Sequence, residues 1–132
     1  MSNFRLPAEW EPQSAIWLAW PVAEHCWPNI RSKIKHRFAA LIAEVSKATQ
    51  VKLICPLEHQ KDAEKHIFND CALLNNITFY DIKTDDVWCR DFTPLFTINN
   101  TGKLHLTDWQ FNAWGDKFPF KNDNAVNNAL NL

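Results

Sequence analysis

VKLICP, residues 51–56, is a short and almost continuous apolar run that a proline ends. Such a run is typical of a buried β-strand, and a proline cannot continue the hydrogen bonding of a sheet. Just before it, residues 29–47 place apolar side chains at i, i+4, i+7 and i+8, which is the spacing of one helical face. A helix that leads into a buried strand favours a mixed α/β fold.

Strands and helices continue to alternate on both sides of this pair. The further predicted elements are a strand at 16–20, a surface helix at 59–69, a strand at 77–82, a hairpin of 95–98 with 103–107, an aromatic loop at 109–120 and a weak helix in the tail 122–132. We therefore expect an α/β domain with a mixed sheet and flanking helices.

Length and composition exclude several classes of protein. A chain of 132 residues with 46% hydrophobic residues is long enough for one domain with a buried core. The net charge of -1 argues against a nucleic-acid partner or an anionic membrane surface. No apolar run approaches the roughly 18 residues of a membrane span, and the N-terminus lacks the apolar core of a signal peptide. We expect a cytoplasmic protein.

The four cysteines are scattered along the chain and include no CxxC pair. Without an export signal, we expect free thiols rather than two disulfides. The adjacent His25 and Cys26 give only weak support to a zinc site, because no second closely spaced ligand pair follows them. We therefore predict no metal site.

The stretch DDVWCRDFTP, residues 85–94, concentrates polar side chains directly after the third predicted strand. Ligands of α/β proteins usually bind at the C-terminal ends of strands. The aspartates Asp85, Asp86 and Asp91 with Trp88 suit a flat organic cation. A carboxylate accepts two parallel hydrogen bonds from a guanidinium, and an indole ring can stack on its plane.

Three other interpretations of this stretch remain open. Clustered carboxylates also bind hard metal ions, although Arg90 would oppose a cation. A purely structural interpretation makes the first two aspartates a solvated turn, pairs Arg90 with Asp91, and places Trp88 in the core. Cys89 is a weak candidate for a nucleophile, because the neighbouring carboxylates of Asp86 and Asp91 should raise its pKa.

Three segments in this order resemble one protein family: LPAEWEPQSAIWLAWP at 6–21, DDVWCRDFTP at 85–94 and WQFNAWGDKF at 109–118. They are similar to the N-terminal part of the agmatine deiminase and bacterial-type peptidylarginine deiminase family, among the guanidine-modifying penteins. The resemblance implies part of a five-bladed α/β propeller. It also implies hydrolysis of a guanidinium to a ureido group with release of ammonia, through a cysteine nucleophile and without a metal or organic cofactor.

The resemblance assigns roles to the W-x-R-D motif. It implies that Trp88 and Asp91 bind the substrate, that Asp91 is also catalytic because it holds the guanidinium, and that Arg90 supports the loop. Two positions depart from the family pattern, since Thr93 and Asp116 stand where glycines are usual. Both replacements reduce the freedom of the backbone near the site.

The family's E-G-G segment, H-x-D segment and nucleophilic cysteine would all lie beyond Leu132. We therefore expect residues 1–132 to be the N-terminal portion of a single catalytic domain, truncated at its C-terminus and inactive alone. The expected ligand is a small cationic guanidinium. Agmatine, which gives N-carbamoylputrescine, is the first choice, because residues 112–115 include no arginine to bind the carboxylate of an arginine substrate. Peptidyl-arginine is the alternative for the parent enzyme.

A rival interpretation is a non-catalytic binding module, because the chain has seven tryptophans against one tyrosine. We expect Trp10, Trp17 and Trp20 to pack in the core, and leave Trp114 open between packing and ligand contact. A further possibility is a homo-oligomer, or association through the exposed edges of an incomplete module.

Overall fold

The computed structural model describes residues 4–69 and 74–130, and the predicted α/β fold is confirmed. The elements are β1 (Phe4–Arg5), β2 (Ala15–Ala19), α1 (Arg31–Ser46), β3 (Gln50–Ile54), α2 (Leu57–Asn69), a 3-10 turn (Leu74–Asn76), β4 (Ile77–Tyr80), α3 (Cys89–Phe92), β5 (Leu95–Asn99), β6 (Leu104–Thr107), α4 (Ala113–Asp116) and α5 (Lys121–Leu130). The strands lie in two sheets, one parallel and one antiparallel. Parallel and antiparallel pairing therefore both occur, but in separate sheets rather than within one sheet.

The parallel sheet has the order β2-β3-β4, with β3 in the centre. Val51 and Leu53 of β3 pack in a core with α1 and α2, whereas Ile54 packs in a second core with α3 and α5. Both faces of β3 are therefore covered, which explains why its sequence is an almost continuous apolar run. The second core supports the segment that carries the W-x-R-D motif.

The antiparallel sheet has the order β1-β5-β6 and contains the predicted hairpin. Its turn is held by Asn99, whose side-chain oxygen accepts the backbone N–H groups of Thr101 and Lys103 at 3.0 and 2.8 Å. Gly102 has φ +78, a conformation that glycine adopts without strain. Strand β1, which pairs with β5, was not predicted, because two residues are too few to show a period.

Several element boundaries differ from prediction for local physical reasons. Helix α1 begins at Arg31 because Asn29, with φ +69, is outside the helical region. Helix α2 begins two residues earlier than predicted, at Leu57, whose N–H donates to the carboxylate of Asp81 at 2.8 Å. The tail helix begins one residue earlier than predicted and extends over Lys121–Leu130.

The predicted packing of the tryptophans is right in part. Trp20 is fully buried, and Trp17 is half-buried against Tyr80 with 4.7 Å between ring centroids. Trp10 is 89% exposed, so the prediction that it packs in the core is wrong.

Cys26, Cys55 and Cys89 are free thiols, as predicted, and Cys71 lies outside the described residues. Among the residues that the structure describes, no helix is both long enough and apolar enough to span a bilayer.

Candidate functional site

The W-x-R-D motif lies on the single-turn helix α3 and the residue before it. Cys89 and Phe92 are buried in the core beneath the turn, whereas Trp88 and Asp91 lie on its exposed side. This division follows from the helical spacing, because residues three apart share one face of a helix. The turn therefore anchors itself with one pair of side chains and presents the other pair to solvent.

Trp88 and Asp91 line an open pocket of about 460 Å³, here called the aromatic pocket. Its described lining comes from three separate segments and consists of His25, Cys26, Trp27, Asp86, Trp88, Asp91, Trp114 and Phe118. Among the described residues that line it, two side chains are carboxylates and none is a lysine or an arginine. The charge of the lining therefore favours a cation over an anion.

Aromatic rings form one wall of this pocket. Trp88 and Trp114 meet edge to face, with 6.2 Å between ring centroids and an interplanar angle of 84°. Phe118 packs against Trp114 in the same manner at 6.0 Å. Trp88 and Trp114 remain 50% and 42% exposed, so each keeps ring surface available for stacking on a planar cation.

Trp114 reaches the pocket through a left-handed turn. Residues Ala113, Trp114, Gly115 and Asp116 have φ values of +47, +55, +87 and +60. The turn is held by Asn112, whose side-chain oxygen accepts the Gly115 N–H at 3.2 Å. A left-handed conformation costs roughly 1–2 kcal/mol for most residues other than glycine. Strained backbone of this kind is typical of functional sites, where it fixes the direction of a side chain.

The two residues that stand where the family usually has glycine, Thr93 and Asp116, have different backbone conformations. Asp116 has a φ in the left-handed region, which glycine adopts easily and other residues do not. The backbone is therefore strained at this position. Thr93 is extended, with φ -79 and ψ 160, and its hydroxyl donates to the Cys89 carbonyl oxygen. Thr93 is therefore accommodated without strain.

Asp85 does not take part in the pocket, so the expectation that three aspartates face one ligand is wrong for this residue. Its carboxylate accepts the backbone N–H and the side-chain amide of Asn122, both at 2.7 Å. In return, one carboxylate oxygen of Asp123 accepts the N–H groups of Asp85 and Asp86 at 2.7 and 3.3 Å. We call these four hydrogen bonds the loop–α5 contact. Asp86 itself lines the pocket.

Arg90 forms an ion pair with Glu9, with 2.7 Å between Nη2 and Oε1. The partner is therefore not Asp91, as the structural interpretation of the motif supposed. Both side chains are largely exposed, and exposed ion pairs contribute little to stability. The pair joins the motif to the segment before β2, while the supporting role of Arg90 stays a prediction.

Neither thiol near the motif is activated. Burial raises the pKa of the Cys89 thiol to about 12, with a smaller contribution from the negative charge of Asp123. Burial likewise raises the pKa of Cys26 to about 12, and the nearby Asp86 adds to the effect. The predicted direction for Cys89 is confirmed, although burial is the main cause. Within residues 4–69 and 74–130, no group of three or more histidine, cysteine or acidic side chains is arranged to hold a metal ion.

The sequence analysis missed two features of this site. The role of Trp114 was left open between packing and ligand contact. The glycine that follows it in an aromatic loop was a usable signal for a tight turn that exposes the ring. Asp123 was not considered at all. Its only signal was a lone acidic residue in the first turn of an Asn-rich helix, and that pattern usually indicates ordinary helix capping.

Comparison with known proteins gives a consistent result. The family described as Porphyromonas-type peptidyl-arginine deiminase matches residues 5–132. An agmatine deiminase of Pseudomonas aeruginosa (strain UCBPP-PA14) is 34% identical over 129 residues, which cover 94% of this chain and 34% of that protein. The chain thus spans about a third of the length of this curated relative.

Solved structures agree with the sequence comparisons. A C. jejuni C315S agmatine deiminase with substrate bound superposes with a TM-score of 0.81 at 32% identity, covering 97% of this chain and 36% of that one. The agmatine deiminase of Enterococcus faecalis superposes with a TM-score of 0.83 at 29% identity, covering 96% and 34%. The chain has the fold of the matching third of these pentein deiminases. It belongs to the Porphyromonas-type peptidyl-arginine deiminase family.

Proposed function

We propose that the aromatic pocket is part of the substrate site of a guanidine deiminase, with agmatine as the first-choice substrate. The observation that carries the proposal is that Asp91, Trp88 and Trp114 meet in one open pocket. In this proposal the Asp91 carboxylate accepts parallel hydrogen bonds from the guanidinium and has the catalytic role of holding it. The two indoles provide apolar and cation–π contact along the planar cation.

The absence of lysine and arginine from the described lining supports agmatine over an arginine substrate. A free arginine carries a carboxylate, which an arginine side chain binds best through two parallel hydrogen bonds. Agmatine has an amine at its far end and needs no such partner. Peptidyl-arginine also lacks a free carboxylate on that residue, and it remains the alternative substrate of the parent enzyme.

The proposed reaction replaces one guanidinium nitrogen with a water oxygen and releases ammonia, through a covalent intermediate on a cysteine. The thiols of Cys26, Cys55 and Cys89 all have pKa values raised to about 12, chiefly by burial. A nucleophile needs the thiolate form, so we assign the nucleophile to none of these three. We propose that residues 1–132 are the N-terminal portion of one catalytic domain, which supplies substrate contacts and is inactive alone. The free thiols also support a cytoplasmic location.

Intrinsic tryptophan fluorescence tests whether this chain binds a guanidinium. We expect agmatine to change the emission, and n-butylamine, which lacks the guanidinium group, to have a much weaker effect. Trp88→Phe should reduce the response. The matched control is Trp109→Phe, because Trp109 is 67% exposed and does not line the pocket. Quenching by sugars but not by agmatine would instead support the tryptophan-rich binding module.

The catalytic role of Asp91 is tested in the intact enzyme. Asp91→Asn keeps the shape of the side chain but removes its charge. We expect ammonia release from agmatine to fall at least about a hundredfold, a typical effect of losing an oriented electrostatic contact in the transition state. Near-normal turnover would remove Asp91 from the mechanism.

A further inference from the structure

Two segments of the aromatic pocket are attached to the same turn of helix α5. The loop before α3 is attached through the loop–α5 contact, in which Asp123 accepts the Asp85 and Asp86 amides. The segment before α4 is attached by Asn124, whose side-chain amide accepts the Phe111 N–H and donates to the Phe111 carbonyl oxygen, both at 2.8 Å. One helical turn therefore holds the two segments that bring Trp88 and Trp114 to the pocket.

Asp123 has an unusual environment for a surface helix. Its side chain is fully buried, and its second oxygen, Oδ2, has no hydrogen-bond partner among the described residues. A buried carboxylate that lacks a full set of partners is costly to ionise. Its first oxygen offsets part of this cost by accepting two backbone N–H groups of the loop.

We propose that Asp123 is a positioning residue for the aromatic pocket: by holding the Asp85 and Asp86 amides, it fixes the orientation in which Asp86 and Trp88 face the ligand. Asp123 does not line the pocket and acts only through the loop. Asp86 is itself one of the two residues held, and Trp88 lies two residues further along the chain. The inference rests on the proposed function, since it takes the ligand to be a guanidinium.

The geometry makes this positioning sensitive to protonation. Burial raises the pKa of Asp123 to about 6, against the opposing effect of the two backbone hydrogen bonds. The titratable groups that interact with it come from the loop, the segment after β2 and α3, and are Asp85, Asp86, Cys26 and Cys89. Lys121, in the same turn of α5, is exposed. A charged carboxylate accepts a hydrogen bond more strongly than a neutral one. While Asp123 stays buried, its hydrogen bonds to the loop should therefore be stronger above about pH 6 than below it, even though ionisation of the buried group lowers the stability of the whole fold.

The first test uses the chain without ligand, so that it does not depend on the proposed function. Amide resonances of Asp85 and Asp86 are followed by ¹H–¹⁵N NMR between about pH 4 and pH 8. We expect both amides, and the Trp88 indole N–H, to shift with a shared midpoint near 6. Asp123→Asn should abolish this inflection, and the control Asn128→Ala, exposed on the same helix, should retain it. Amides with no inflection there, or an inflection that persists in Asp123→Asn, would overturn the proposal.

The second test measures agmatine affinity by tryptophan fluorescence. We expect Asp123→Asn to weaken binding by roughly tenfold at neutral pH, the factor that corresponds to one hydrogen bond to a charged acceptor. The wild-type chain should also bind more tightly as the pH rises through about 6, and the variant should not. A folded Asp123→Asn chain that binds within about twofold of wild type would refute the positioning role. A wild-type chain that does not bind agmatine would count against the proposed function, and the amide titration alone would then decide the role of Asp123.

Discussion

Replacing Asp123 with asparagine should change how the stability of the protein depends on pH. The wild-type side chain is fully buried, and its pKa is raised from 3.8 to about 6. The folded protein therefore binds a proton at Asp123 more tightly than the unfolded chain does. The contribution of this group is fully present below pH 3.8 and is lost as the pH rises through about 6.

The size of the effect follows from the pKa difference. The shift from 3.8 to about 6 corresponds to a loss of up to about 3 kcal/mol in the free energy of unfolding between acidic and neutral pH. Glu11 and Asp62 act in the opposite direction. A hydrogen bond from Arg5 lowers the pKa of Glu11, and at Asp62 the hydrogen bond and charge of Lys35 help to outweigh the effect of burial, so that its pKa is also lowered. Those contributions are present in both proteins and cancel in the difference between wild type and Asp123→Asn.

Urea unfolding at a series of pH values between about 4 and 8 measures this difference. Asparagine keeps an oxygen that can accept the loop amides but cannot ionise, so the variant should gain stability relative to wild type as the pH rises. Asp116→Asn is the matched control, because it makes the same chemical change at an exposed site. A difference between wild type and Asp123→Asn that stays constant with pH, within about 0.5 kcal/mol, would refute the reasoning.

Four further variants test three separate parts of the structure. Asp116→Gly removes a side chain at φ +60 and should raise the free energy of unfolding, measured by urea unfolding, by about 0.5–1 kcal/mol. A loss of stability would contradict the interpretation that the backbone is strained at Asp116. Phe92→Ala empties a buried site beneath α3 and should cost about 3–5 kcal/mol by thermal unfolding, and a cost below about 1 kcal/mol would show that the site collapses freely. Arg90→Ala and Glu9→Ala each break an exposed ion pair and should change stability by less than about 0.5 kcal/mol, so a larger loss in either would indicate a structural role for the pair.

The regular elements could be predicted because their signals are local. The run at 51–56 and the helical spacing at 29–47 each record which faces are buried, and the structure places β3 and α1 there. Trp88 and Asp91 were singled out from one short motif, and the structure brings them to one pocket because they share the exposed side of α3. Their roles in binding and catalysis stay predictions.

The parts that could not be predicted depend on distant contacts. Asp85 and Asp86 looked alike in the sequence, yet one receives the N–H of Asn122 while the other lines the pocket. Nothing near Asp85 distinguishes them, because the partner lies 37 residues away. The left-handed turn at Trp114 was hidden for another reason: only one of its four residues is a glycine, and the other types ordinarily avoid that conformation.

The loop–α5 contact has a consequence for the order in which the molecule is assembled. Its hydrogen bonds join residues 37 and 38 positions apart, whereas the parallel sheet is complete once β4 has formed. During synthesis from the N-terminus, β2, β3 and β4 can pair with α1 and α2 in place before α5 exists. The loop that carries Trp88 then still lacks its hydrogen bonds to α5. The long segment between the loop and α5 must first be closed, at a cost in chain entropy, before these bonds can form. We therefore expect the ligand pocket to take shape only after α5 has docked, although five of its eight described lining residues lie in the first 88 residues.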